Sequence, residues 1–167
     1  EEIKAALSVL ENNGMQKKEI TILHCNTEYP TPYEDVNLNA FYQLKELFSD
    51  YNLGFSDHSA GYFAGLAAVP YGITFIEKHF TLDKNFEGPD HKASVTPEEL
   101  KLLCEGIRAV EKSLGSSEKM VTASEAKNKI VARKSIIAAR PIKKGETYTT
   151  ENLTTKRPGN GISPMCW

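Results

Sequence analysis

Three short β-rich runs in this chain each end in residues that can do chemistry. The first closes on His24-Cys25-Asn26-Thr27-Glu28-Tyr29, the second on Ser56-Asp57-His58-Ser59, and the third on Glu77-Lys78-His79. In parallel α/β folds the carboxyl ends of the strands line the ligand crevice. Three successive runs ending this way therefore point to one shared site. His58 and His79 are the sharpest pair. If their strands are neighbours, the two imidazoles converge on one divalent ion. Neutral imidazole suits zinc, iron, nickel and, with oxygen co-ligands, manganese, so the spacing alone chooses no metal. Glu77 lies two residues before His79 and shares its strand face. There it can orient a metal-bound water or take a proton. Lys78 has the opposite parity and points toward the surrounding helices. For a lone histidine the competing reading is a hydrogen-bonded buried residue; the pairing is what favours ligation.

Two further segments are candidates. Gly88-Pro89-Asp90-His91-Lys92 sits in the long loop after the third run. Loops held by a rigid scaffold carry function, and Asp90 can bind sugar hydroxyls or simply cap a turn. Arg157-Pro158-Gly159-Asn160-Gly161 offers a guanidinium on a stiff turn. Its planar fork suits carboxylate or amide recognition, and a surface turn is the plainer reading. Cys25 is the only thiol near the proposed site and reads as packing first, reactive second. There is no Gly-rich phosphate loop, no serine nucleophile elbow and no interpretable Cys–His signature.

The elements that must position these residues follow from periodicity. Ile3, Ala6, Leu7 and Leu10 recur at helical spacing and predict a helix over 2–13, stopped by Asn12-Asn13-Gly14. Strands are predicted at 20–25, 53–56 and 73–79, with helices at 35–48 and 62–69 between them. A polar loop spans 81–95. Thr96-Pro97-Glu98-Glu99 then opens a helix that runs to Leu114 and ends at Gly115. The order, α and then β-α three times, predicts parallel strands and the α/β class. Residues 116–130, rich in Ser, Lys and Glu, read as a linker. Beyond it a strand at 134–139, a turn at 141–146 and a single helical turn at 150–153 predict a small β-rich module. Three β-α units are too few to close a barrel. They form either a small open sheet or part of a larger barrel.

Composition excludes other classes. Across 167 residues, 20 basic against 22 acidic side chains give a net charge of −2. With no basic excess to meet phosphates, nucleic acid is a poor partner. No run approaches the roughly 18 apolar residues of a membrane span, and no signal segment opens the chain. Three scattered cysteines make neither a disulfide framework nor a cysteine zinc site and fit a reducing, cytoplasmic setting. Length by itself predicts one domain, or one and a small piece. The absence of an initiator Met and the abrupt end at Trp167 suggest that 167 residues are not the natural length.

Five runs carry a family resemblance: His24 to Pro30, Gly54 to His58, Ile76 to Asp83, Glu87 to His91, and Lys156 to Ile162. In order and spacing they resemble the bacterial N-acetylneuraminate (sialic acid) synthase family, from about residue 18 to the end. That family joins a (β/α)8 TIM barrel to a C-terminal antifreeze-like (SAF) domain. The resemblance implies the C-terminal portion of the barrel over 1–115, the linker over 116–130, and an incomplete SAF domain over 131–167. It implies condensation of phosphoenolpyruvate with N-acetylmannosamine to N-acetylneuraminate and phosphate, with C–O cleavage. It also implies a divalent metal, typically Mn2+ with Mg2+ or Co2+ as alternatives, held by His58 and His79 and acting as Lewis acid on the sugar aldehyde. Thr27 and Ser56 match phosphoenolpyruvate-site positions, Tyr29 and Asp90 match sugar-site positions, and Glu77 lies by the metal as the candidate for managing a water proton. Arg157 matches an arginine that reaches the sugar's N-acetyl group from the partner subunit of a domain-swapped homodimer.

Thr27 stands where relatives carry Ser or Asn, and Phe55 where Val, Leu or Tyr is common. The lysines that the family's first barrel half gives to phosphate have no counterpart here, and an opened barrel exposes two strand edges and an unfilled interior, so the isolated piece is expected to be inactive and prone to aggregate. The alternatives are a synthase of a related nonulosonic acid of the legionaminic type, a noncatalytic sugar-binding barrel remnant, and a metal-dependent hydrolase.

Overall fold

The computed structural model describes residues Glu1–Trp167, which divide into two compact units, Glu1–Gly115 and Ser116–Trp167. The first unit opens with helix α1 (Glu2–Asn12), a 3-10 turn (Lys17–Glu19) and strand β1 (Thr21–Cys25). Helices α2 (Tyr33–Val36) and α3 (Ala40–Leu47) lead to β2 (Asn52–Ser56). Helix α4 (Phe63–Ala68) and a 3-10 turn (Val69–Tyr71) lead to β3 (Phe75–Glu77), and α5 (Pro97–Leu114) closes the unit. The three strands form one parallel sheet in the order β1-β2-β3. The expected α/β class is present.

The sheet holds its helices through two apolar clusters. Val36, Phe41, Leu53, Phe55, Ala64 and Ala68 make one; Leu7, Ile20 and Phe48 make the other. Phe41 is fully buried, a contribution of about 1.5–3 kcal/mol for a side chain of that size. Gly54 is the close-approach point of the sheet. A Cβ there would lie 2.5 Å from Leu23 Cδ2 and 2.7 Å from the Phe75 carbonyl. Helix α5 starts as its sequence predicts: Thr96 accepts from the Glu99 N–H while the Glu99 carboxylate accepts from the Thr96 N–H. Pro97 occupies the first helical position, where its missing donor costs nothing.

Three expected elements differ. The single helix over 35–48 is two helices, because Asn37 adopts the left-handed region at φ 49°, a conformation its short amide side chain tolerates. The strand over 73–79 is regular only from Phe75 to Glu77. Lys78 and His79 lie beyond it, and Phe80 then bridges Val95. The stretch 116–130 is not plain linker, since α6 (Ala123–Ala132) occupies much of it. Thr122 and Glu125 form a second capping box there, a local signal that outweighs the polar composition.

The second unit adds strand β4 (Ser135–Ala138) and an antiparallel partner, β5 (Leu153–Lys156), not anticipated as a strand. Between them the buried Asn152 organises the turn. Its Nδ2 donates to the Thr147 carbonyl at 2.9 Å and its Oδ1 accepts from the Thr149 N–H at 2.8 Å. No helix of the chain is long and apolar enough to cross a membrane.

Candidate functional site

Register brings the reactive strand ends together. Cys25 pairs with Ser56, and Ser56 with Glu77, in one row across the carboxyl edge of the sheet. In that row Ser56 Oγ donates to Glu77 Oε2 at 2.5 Å and lies 3.3 Å from His58 Nε2. His58 and His79 emerge just past their strands with ring centroids 5.2 Å apart. The Tyr29 ring packs against both, 4.4 Å from His79 and 5.1 Å from His58. Partial burial pushes the Tyr29 phenol above its ordinary value, and the Asp90, Glu77 and Asp57 carboxylates add to the effect. The hydroxyl therefore stays protonated, available as a donor.

The loop 81–95 brings Asp90 to the same place. Its carboxylate lies 3.7 Å from His79 Nδ1. Its carbonyl accepts from Ser94 N–H at 3.0 Å and Ser94 Oγ at 2.8 Å, which closes the turn beneath it. The backbone of Asp90, not its side chain, closes the turn and leaves the carboxylate exposed. The loop is tied to α5 by Lys84, whose ammonium meets the capping carboxylate of Glu99 at 2.6 Å. Cys25 Sγ lies 3.8 Å from His58 Nδ1. Thr27 is exposed in the bend after β1, and no hydrogen bond joins it to the cluster.

Arg157 belongs to the second unit. Its Nε donates to the Ala132 carbonyl at the end of α6, at 2.8 Å. The turn after it is held by Gly159 N–H on the Ile130 carbonyl and by Ser135 Oγ on the Pro158 carbonyl. The two Nη groups make no hydrogen bond and extend the fork outward.

Sequence reasoning missed an ion pair beneath the site. Lys78 Nζ lies 3.1 Å from Asp57 Oδ2, with both side chains almost wholly out of solvent. Burial pushes the Lys78 ammonium below its ordinary value, against the pull of the Asp57 charge. The strand parity of Lys78 was the available signal. It correctly turned the side chain away from the crevice, and only the fold could supply its partner.

Two imidazoles converge here, and no third His, Cys, Asp or Glu completes a closed metal-binding group with them. The donor set fits a divalent ion that keeps positions open for oxygen ligands, as catalytic sites do, rather than a closed structural centre.

Comparison with known proteins gives the family. Residues 1–119 match the NeuB family and residues 133–167 match the SAF domain. The chain is 54% identical over 164 residues to N,N'-diacetyllegionaminic acid synthase of Campylobacter jejuni, covering 98% of this chain and 49% of that protein. The crystal structure of the spore coat polysaccharide biosynthesis protein SpsE from Bacillus subtilis superposes with a TM-score of 0.63 at 36% identity, over 96% of this chain and 48% of that one. The N-acetylneuraminic acid (sialic acid) synthetase of Leptospira borgpetersenii, crystallised with citrate, gives a TM-score of 0.65 at 35% identity, over 76% of this chain and 43% of that one. The chain spans about half the length of the relatives it matches.

Proposed function

The chain belongs to the NeuB family, and from that premise we propose that the complete enzyme condenses phosphoenolpyruvate with an N-acetylated hexose to a nonulosonic acid and phosphate. On this reading 1–115 is the last part of a TIM barrel and 131–167 the start of the SAF domain. The observation that carries the reading is the meeting of His58, His79, Tyr29 and Glu77 at the ends of three parallel strands. His58 and His79 hold the divalent ion, Mn2+ on our reading. When bound, that ion supplies Lewis-acid polarisation of the sugar's aldehyde oxygen.

The chain's own residues do the rest. Asp90 and the protonated Tyr29 orient the open-chain sugar beside the two imidazoles. Ser56 and Thr27 receive phosphoenolpyruvate, whose methylene carbon forms the new bond to the aldehyde carbon. Water adds at the former enol carbon, and the C–O bond to phosphate breaks. Glu77, held by Ser56 Oγ, manages the proton of that water. Arg157 of the partner subunit, in a domain-swapped homodimer, meets the N-acetyl carbonyl with its free Nη groups. The three cysteines are free thiols, which suits a cytoplasmic enzyme.

Two acceptors fit the class. The guanidinium turn suits N-acetylmannosamine, which would make the product N-acetylneuraminate. The 54% identity to a legionaminic acid synthase favours a di-N-acetylated hexose. The test is phosphate release from phosphoenolpyruvate by the complete enzyme. We expect release to require both sugar and divalent ion, to stop on chelation, and to return with Mn2+ in the wild type but not in His58→Ala. Metal-independent release would overturn the assignment.

A further inference from the structure

We propose that Lys78 is a positioning residue whose buried ammonium clamps the backbone on both sides of His58 and so fixes that imidazole against His79. The proposal rests on the reading of these histidines as metal ligands. Lys78 stands between Glu77 and His79 in the chain, yet its side chain is only 4% exposed. An ammonium has three donors, and three oxygens surround this one. They are the Asp57 carbonyl at 3.1 Å, the Ser59 carbonyl at 2.5 Å and Asp57 Oδ2 at 3.1 Å. The two carbonyls flank His58. With two donors on the carbonyls, the Asp57 charge beside the third and only 4% of the side chain exposed, this ammonium is closed to an anionic substrate.

The neighbouring groups complete the clamp. Asp57 Oδ1 accepts from the Ser59 N–H at 2.9 Å and from Ser59 Oγ at 2.6 Å. The Asp57 N–H donates to the Glu77 carbonyl, and the His58 carbonyl accepts from the Thr31 N–H, each at 2.9 Å. Asp57 Oδ2 has no hydrogen-bond partner and faces only the Lys78 charge. The segment carrying one imidazole is thus pinned to the segment carrying the other by one ion pair, the two Lys78–carbonyl bonds and the Asp57 N–H bond to the Glu77 carbonyl. A buried pair of this kind adds little stability over apolar residues of the same volume. What it supplies here is a fixed direction for His58. Groups that orient metal ligands typically govern affinity by about 10–100-fold.

The test uses the complete enzyme with Lys78→Met and Asp57→Asn together, which removes both charges and leaves no unpaired buried carboxylate. Circular dichroism verifies folding. Mn2+ titration followed by loss of the free-ion electron paramagnetic resonance signal should show binding weakened by about 10–100-fold. A folded double variant with wild-type affinity would overturn the clamp. In metal-free protein labelled with ¹⁵N-histidine, the His58 ring signals should shift or broaden in the double variant. The His24 ring, held separately by the Val36 carbonyl at 2.8 Å, should not change. Unchanged His58 signals defeat the clamp whether or not an ion binds. Released His58 signals in a protein that never binds Mn2+ uphold the clamp and defeat the metal reading. The wild type gives a check that needs no variant: with ¹⁵N-lysine, the Lys78 ammonium protons should exchange slowly, and fast exchange would count against the proposal.

Discussion

Glu77 receives one hydrogen bond from Ser56 Oγ, and that same oxygen lies 3.3 Å from His58 Nε2. If it manages the proton of the attacking water, Glu77→Gln in the complete enzyme should lower kcat by at least about 100-fold. Mn2+ affinity should stay near wild type, because the imidazoles are untouched. Steady-state kinetics beside a metal titration separate the two effects, and unchanged turnover would remove Glu77 from the chemistry. Much of this site was legible residue by residue. His58, His79 and Glu77 stood out because strand ends are where parallel sheets gather ligands. Asp90 was a candidate from its loop, with a turn cap as the equal alternative, while the sugar-site role of Tyr29 came only from the family resemblance, since a tyrosine in a bend carries no local sign of its target. The Asp57–Lys78 pair was invisible for a different reason. Its partners are 21 residues apart, and no periodicity links them.

At the scale of elements, close approach and end chemistry decide the behaviour. Gly54→Ala would drive a methyl into Leu23 and the Phe75 carbonyl. We expect a loss of about 1–3 kcal/mol, read as a lower melting temperature. Thr96→Ala should cost about 1 kcal/mol through the lost cap of α5, with no change in the first strand pairing. In the second unit, Arg140 meets Glu146 at 2.6 Å across the turn between β4 and β5. The guanidinium holds the Glu146 carboxyl down to about 2, from an ordinary 4.5. A lowered folded-state value means that the pair's contribution is complete above about pH 4.5 and fades as pH falls through about 2. Glu146→Gln should therefore flatten the acid limb of stability, a change visible in melting curves taken between those pH values. In the first unit element types and order were readable from periodicity and the capping box of α5, whereas α6 was read as linker despite its own capping box and β5 was not read as a strand. The break at Asn37 and the pairing of β5 were not readable, because a left-handed residue and a cross-strand partner are both set by neighbours distant in sequence.

At the scale of the whole molecule, the proposed function leaves the choice of sugar to be tested. The relatives include synthases of several nonulosonic acids, so on the proposed reading acceptor choice is a question for the complete enzyme. Competition between N-acetylmannosamine and a di-N-acetylated hexose should show higher kcat/KM for the latter, in line with the 54% identity to a legionaminic acid synthase. A preference for N-acetylmannosamine would return the assignment to sialic acid synthesis. Sequence alone determined the α/β class, the strand–helix order, the low net charge and the family. Each is written in local patterns: hydrophobic period, caps, turn residues and short motifs. Tertiary structure alone decided that His58, His79, Tyr29 and Asp90 share one small volume, and that Lys78, turned away by its strand parity, is buried on Asp57. Parallel pairing brings together strand ends about 20 to 30 residues apart, and no local pattern states the register or the distance that results.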